Sequence, residues 1–161
     1  MDSQAVFKAT QLAVRAGAGA GLSAGLAQLF GLQYPIYAFL AAVIVTDLSP
    51  SRTRQLGLLR LIATVVGAGG GAVLSPVLGG SAWSLGLGVL LAMQVSHLVK
   101  AQEGAKVAGY ICGIVLLEHG AHPWSYAFFR LIETALGIAV ATSISFVPKL
   151  IRIEEHDPRN P

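Results

Sequence analysis

Along its length the chain alternates long apolar blocks with short polar breaks. Neither the polar helix face nor the alternating strand of a soluble domain recurs over most of it. Six blocks can be cut, at 12–30, 34–46, 56–78, 83–98, 105–117 and 126–147. About 20 apolar residues in a row match the hydrocarbon thickness of a bilayer, so the pattern predicts an all-α integral membrane protein, a six-helix bundle. The second and fifth blocks stop at thirteen residues each. A helix of that length is about 20 Å long against about 30 Å of hydrocarbon. Either these are short helices whose ends sit inside the membrane, or their flanks extend them to full spans. Arg15 interrupts the first block, which then turns Gly/Ala-rich ("GAGAGLSAGLAQ"), so a retained first helix is expected rather than a cleaved leader.

The blocks repeat. Residues 60 to 75 read "RLIATVVGAGGGAVLS" and residues 130 to 145 read "RLIETALGIAVATSIS", with Arg, Leu, Ile, Thr, Gly and the last Ser in common. A shift of seventy also lays block one on four, two on five and three on six. Three crossings per half is an odd number, so the halves are expected to be inverted repeats, at about 10–78 and 80–148. Inverted repeats are a common plan of transporters, with the substrate site between the halves. Residues 149–161 form a polar tail.

On a helix, Arg60, Thr64, Gly67, Gly71 and Ser75 fall within about 80° of one another. Arg130, Thr134, Gly137, Ala141 and Ser145 repeat that stripe. Each long block thus carries a small, hydroxyl-bearing face headed by a guanidinium. With inverted halves, one arginine heads inward and the other outward, so a path between the faces meets a positive charge at each mouth. Such a path favours anions, and guanidinium suits carboxylates. Other readings stand beside this one. Gly67 and Gly71, like Gly17, Gly21 and Gly25, have the small-xxx-small spacing of close helix packing. Arg60 is placed where it could snorkel to headgroups. Glu133, one turn on from Arg130, is placed to neutralise it, as a structural tie or a proton-sensitive gate. Asp47 and Glu118 end the short blocks, where they either couple proton movement or face headgroup water.

Composition agrees with a membrane setting. Only 12% of residues are charged, half the usual share, and the mean hydropathy is +0.66. With the N-terminus inside, Lys8, Arg15, Arg52, Arg54, Arg60, Lys100, Lys106, Lys149, Arg152 and Arg159 all lie on or near cytoplasmic segments. Arg130 is the exception. That bias predicts both termini in the cytoplasm and explains the net charge of +3 without nucleic acid. The lone Cys112 gives no disulfide framework. His97, His119 and His122 lack metal-ligand spacing on one element, so no metal or other cofactor is expected. "GAGAGLSAG" follows no strand and is no dinucleotide loop. No nucleophile–base pattern stands out, so no enzyme chemistry is expected.

The run "YPIYAFLAAVIVTDLSPSRTRQLGLLRLIATVVGAGGGAVLS" resembles the first membrane hairpins of the aromatic acid exporter, or fusaric-acid-resistance-like, family. Its features are a short helix after Tyr-Pro, a basic link, then an Arg-headed helix with Thr and spaced Gly. "RLIETALGIAVA" resembles that family's closing membrane helix, and the aluminium-activated malate transporters are distantly similar. The resemblance implies export or channelling of organic, often aromatic, carboxylates across the inner membrane. It favours Arg60 and Arg130 as pathway residues. Many such proteins carry a sizeable soluble cytoplasmic region, whereas "KLIRIEEHDPRNP" follows the last block here. The expected partners are a small organic anion, the lipid bilayer and further copies of the chain, as a dimer or trimer burying Gly/Ala faces. The competing expectation is a non-transporting scaffold whose glycine stripes pack on partner helices.

Overall fold

The computed structural model describes residues 3–118, 120 and 122–147. His119, Lys149, Arg152, Arg159 and the polar tail lie outside the described residues. Six α-helices follow one another: α1 (Ser3–Leu29), α2 (Pro35–Val45), α3 (Pro50–Leu78), α4 (Ala82–Leu98), α5 (Ala105–Glu118) and α6 (Pro123–Ser145). A single 3₁₀ turn, Gln102–Gly104, leads into α5. Among the described residues there is no strand.

Local chemistry sets the boundaries. Pro35, Pro50 and Pro123 each occupy the first turn of a helix, where the missing N–H costs nothing. The Ser81 hydroxyl accepts from the Ser84 N–H at 3.2 Å and caps α4. Gly31 and Gly79, both at φ 64°, take the chain out of α1 and α3 in a left-handed conformation that suits glycine. The long helices outrun their apolar blocks at the N-terminal end. α1 starts at Ser3 and α3 at Pro50, so Lys8, Arg52 and Arg54 ride on helical extensions. α2 has 11 residues and α5 has 14, which makes both of them short helices. By length and composition, α3 and α6 are apolar enough to cross a membrane.

Burial is inverted relative to a water-soluble protein. Arg15, Ser23, Thr53, Arg60, Thr64, Ser96, Arg130, Glu133 and Thr134 are buried, while Leu22, Leu58, Val65, Val73, Leu90 and Phe128 are exposed. Water would reward the opposite arrangement. Hydrocarbon rewards this one, because polar side chains there must face one another.

Packing crosses between the halves. α2 lies chiefly against α6 and α1, α5 chiefly against α3 and α4, and α3 packs along α6. Two apolar clusters mark these seams. Ala41, Ala42 and Val45 meet Ile138 and Ala141, and Ala63 and Ala92 meet Ala108, Cys112 and Leu116. Glycine permits the closest approaches. A Cβ on Gly67 would run into the backbone of Ala108, and one on Gly137 into the backbone of Ala38. Both members of the first contact carry numbers seventy away from those of the second.

One end of the bundle gathers the basic residues. Arg15 is 6% exposed. Its Nη1 donates to the carbonyls of Leu48 at 2.8 Å and Asp47 at 3.4 Å, and its Nη2 donates to that of Val147 at 3.1 Å. Arg54 lies over the Phe146 ring, and Arg52 pairs with Glu103 at 3.5 Å. The start of α3 and the ends of α2 and α6 therefore share this end. A cation at helix C-termini offsets their partial negative charge, so one guanidinium on α1 ties down α2 and α6. Arg15→Ala is expected to cost about 2 kcal/mol, seen as a lower thermal midpoint in detergent. Arg15→Lys restores only part, because an ammonium lacks the planar fork that reaches separate carbonyls.

Candidate functional site

Both predicted stripes face the interior. Arg60, Thr64, Gly67, Gly71 and Ser75 on α3 are buried, as are Arg130, Thr134, Gly137, Ala141 and Ser145 on α6. The lower parts of the stripes are packing surfaces. Gly67 meets Ala108, Gly71 meets Val115, Gly137 meets Ala38, and the Thr64 hydroxyl donates back to the Arg60 carbonyl at 2.8 Å. Thr134 is 1% exposed. The guanidinium heads of the stripes are where polar chemistry collects.

Arg130 is 1% exposed. Its guanidinium carbon stands 3.3 Å from the centroid of the Tyr37 ring, on the ring face. Its Nη2 donates to the Tyr110 hydroxyl at 3.4 Å. The Tyr126 hydroxyl donates to that of Tyr37 at 3.0 Å, and Tyr34, Tyr37 and Tyr126 lie with ring centroids 5.5–5.9 Å apart. The chain has four tyrosines, and all four stand in this one cluster. A cation held on an aromatic face is attracted by the ring quadrupole, and more strongly in a desolvated site. Tyr37 from α2 and Tyr110 from α5 both reach Arg130, although those two helices do not pack on each other.

Arg60 is 4% exposed and approaches Tyr110 as well. Its guanidinium carbon is 5.5 Å from the Tyr110 ring centroid, while that of Arg130 is 5.9 Å from it. The two charges thus converge on one phenol. Arginine side chains are long enough to lean from their own helices toward a shared aromatic, which helix periodicity does not reveal. Beside Arg60 lies a cavity of about 90 Å³ lined by Ile44, Leu56, Leu59, Arg60, Glu103, Gly104 and Val107. It has aliphatic walls, one buried cation, and at its rim the carboxylate of the exposed Glu103–Arg52 pair.

Donors are left over at both arginines. Nε and Nη1 of Arg60, and Nε and Nη1 of Arg130, are buried without a hydrogen-bond acceptor. Glu133, fully buried, does not fill the gap. Its Oε1 accepts from the backbone N–H of Tyr34 at 2.6 Å, its Oε2 has no partner, and no ion pair within 4.0 Å joins it to Arg130. The carboxylate instead serves the N-terminus of α2, where partial positive charge attracts it.

The remaining predicted residues lie elsewhere. The Asp47 Oδ1 accepts from the Ser49 N–H at 2.9 Å and so braces the turn into α3. Glu118 is the exposed last residue of α5. Among the described residues neither bonds to the arginine pair. Sequence reasoning passed over the tyrosines. The available signal was their position, since Tyr34, Tyr37 and Tyr126 sit at block starts, the usual place of an interfacial aromatic belt.

A buried, doubly cationic, aromatic-lined centre with spare donors is suited to hold an organic anion. Neither a curated protein nor a solved structure matches the chain. The family model described as "Aromatic acid exporter family member 1" matches residues 7–147, which take in nearly all of the six helices. The chain belongs to the aromatic acid exporter family.

Proposed function

We propose that the chain carries organic anions, aromatic or other carboxylates, outward across the inner membrane, and that the carboxylate passes between Arg60 and Arg130. The observation that carries this reading is the pair of buried guanidiniums with unsatisfied N–H groups converging on Tyr110, one of them lining a cavity. An uncompensated buried charge costs several kcal/mol, so a fold keeps two of them only with a compensating partner. A carboxylate supplies paired acceptors to such donors. The aliphatic walls of the cavity suit an apolar body behind the charge.

The halves act as inverted repeats in this reading. Support comes from packing in which α2–α6 answers α5–α3, and Gly137–Ala38 answers Gly67–Ala108. The basic end of the bundle is the cytoplasmic end and holds both termini. The exposed Trp83 and Trp124, at the starts of α4 and α6, mark the opposite interface. The Gly17, Gly21 and Gly25 face of α1, open to its surroundings, is where further copies of the chain would pack.

The test is benzoate flux in liposomes carrying the purified protein. Wild type is expected to pass benzoate. Each of Arg60→Gln and Arg130→Gln is expected to lower the initial rate about tenfold or more, since a charge-assisted hydrogen bond contributes about 1.5–3 kcal/mol. Flux that survives the double substitution would refute the pathway. Liposomes tight to benzoate and to dicarboxylates alike would favour a scaffold.

A further inference from the structure

The cavity beside Arg60 is not lined by Arg130, which is 1% exposed with the Tyr37 ring on its face, and the residue numbers say why. A shift of seventy turns its lining residues Leu56, Gly104 and Val107 into Tyr126, Tyr34 and Tyr37. Where one half has a branched aliphatic, a bare backbone and a valine, the other has three phenols in mutual contact. Arg60 and Arg130 themselves correspond, as do Ile44 and Ile114. Leu59 and Glu103 correspond to Phe129 and Gln33, so the surroundings of Arg130 are the more aromatic and those of Arg60 carry the carboxylate.

We infer that Tyr34, Tyr37 and Tyr126 form an aromatic gate, closed over Arg130 while the Arg60 end stands open. Contacts among the described residues hold it shut. The Tyr37 ring covers the guanidinium face of Arg130, the Tyr126 hydroxyl ties to that of Tyr37, and Glu133 holds the Tyr34 backbone at the entrance of α2. Tyr37 is the central element, since its ring takes the face of Arg130 on which an arene moving out from Arg60 would stack. Passage therefore requires Tyr37 to swing away, and the Tyr126 bond opposes that swing. Tyr34 and Tyr37 are half-buried whereas Tyr126 is 2% exposed, so the gate has a fixed inner post and movable outer leaves. The open end carries Glu103, paired with Arg52 at the basic end of the bundle. The device so arranged loads from the basic end and discharges through the tyrosines.

This inference rests on the inverted-repeat reading, and one labelling experiment separates the two. Cys112, the chain's single cysteine, is replaced by Ala, and Ile44→Cys or Ile114→Cys is introduced. Reaction with a membrane-impermeant maleimide is then timed in right-side-out and in inside-out membrane vesicles. With the gate intact, Ile44→Cys reacts from one face and Ile114→Cys reacts slowly from either. In the background of Tyr37→Val with Tyr126→Leu, which copies the open half, Ile114→Cys is expected to react about tenfold faster, from the face opposite to that of Ile44→Cys. Tyr37→Phe with Tyr126→Phe keeps the rings and removes the hydroxyl tie, and a rise of about threefold is expected. An unchanged Ile114→Cys rate in both backgrounds would overturn the gate and leave the repeat reading intact. A faster rate from the same face as Ile44→Cys would overturn the repeat reading and the gate with it.

Discussion

Gly137→Val is expected to leave almost no folded protein, and Gly67→Val to do the same. Either valine would drive its Cβ into the backbone of a facing helix, at Ala38 or at Ala108. Overpacking costs about 1–3 kcal/mol where side chains can move aside. Here the obstacle is main chain, fixed by its own helical hydrogen bonds, so relief requires α2 to lift off α6 or α5 off α3. Those seams hold the two apolar clusters, and separating them forfeits the clusters as well. The loss approaches the whole stability of a domain, about 5–15 kcal/mol. The control is Gly86→Val on α4, where nothing lies within 4 Å of an added Cβ. It should behave as wild type in size-exclusion profile and thermal midpoint, whereas the other two should aggregate on extraction. Equal behaviour of Gly137→Val and Gly86→Val would contradict the close approach of α2 to α6.

The second large effect separates stability from transport. Arg130→Met is expected to abolish benzoate flux, a drop of about 100-fold, while the thermal midpoint in detergent holds or rises. Breaking up a buried polar group usually harms a protein because a partner is stranded. Arg130, though, has no carboxylate partner to strand, and Met nearly matches its apolar stem. Replacing buried ions with well-packed apolar groups is often stabilising by about 1–4 kcal/mol, and the lost contact with the Tyr37 ring offsets part of that. Adding Glu133→Gln removes the remaining buried carboxylate and should raise the midpoint further. A deep fall in stability for Arg130→Met alone would instead make the arginine a structural tie.

The helices, their number and their inward stripes were legible in the sequence because each depends on periodicity alone. Apolar runs give the helices, and 3.6 residues per turn puts Arg60 on the face of Thr64 and Gly67. Their ends were less legible. α1 and α3 begin well ahead of their apolar blocks, since Lys8, Arg52 and Arg54 are good helix formers that hydropathy excludes. The pairing of α2 with α6 could not be read, because an Ala-rich helix face fits any neighbour of similar shape. The meeting of both arginines at Tyr110 was hidden for a related reason. It depends on the reach of long side chains across a helix junction, which no spacing along one helix encodes. Arg15 was legible as a charge near the start of the first block, while its three carbonyl partners belong to residues 47, 48 and 147, far away in sequence. Asp47 and Glu118 show the opposite limit. Their place at block ends left proton coupling and headgroup water both open; Asp47 accepts from the Ser49 N–H in its turn, and Glu118 is the exposed last residue of α5.

Because α2 rests on α6 and α5 on α3, the pieces that hold together are not the two halves of the chain. α1, α2 and α6 make one body and α3, α4 and α5 the other, joined along the α3–α6 seam. Arg130 and Tyr37 belong to the first body, Arg60 and Tyr110 to the second. A rocking movement about that seam would work the two cations like the jaws of a vise, tightening or loosening on whatever lies between them.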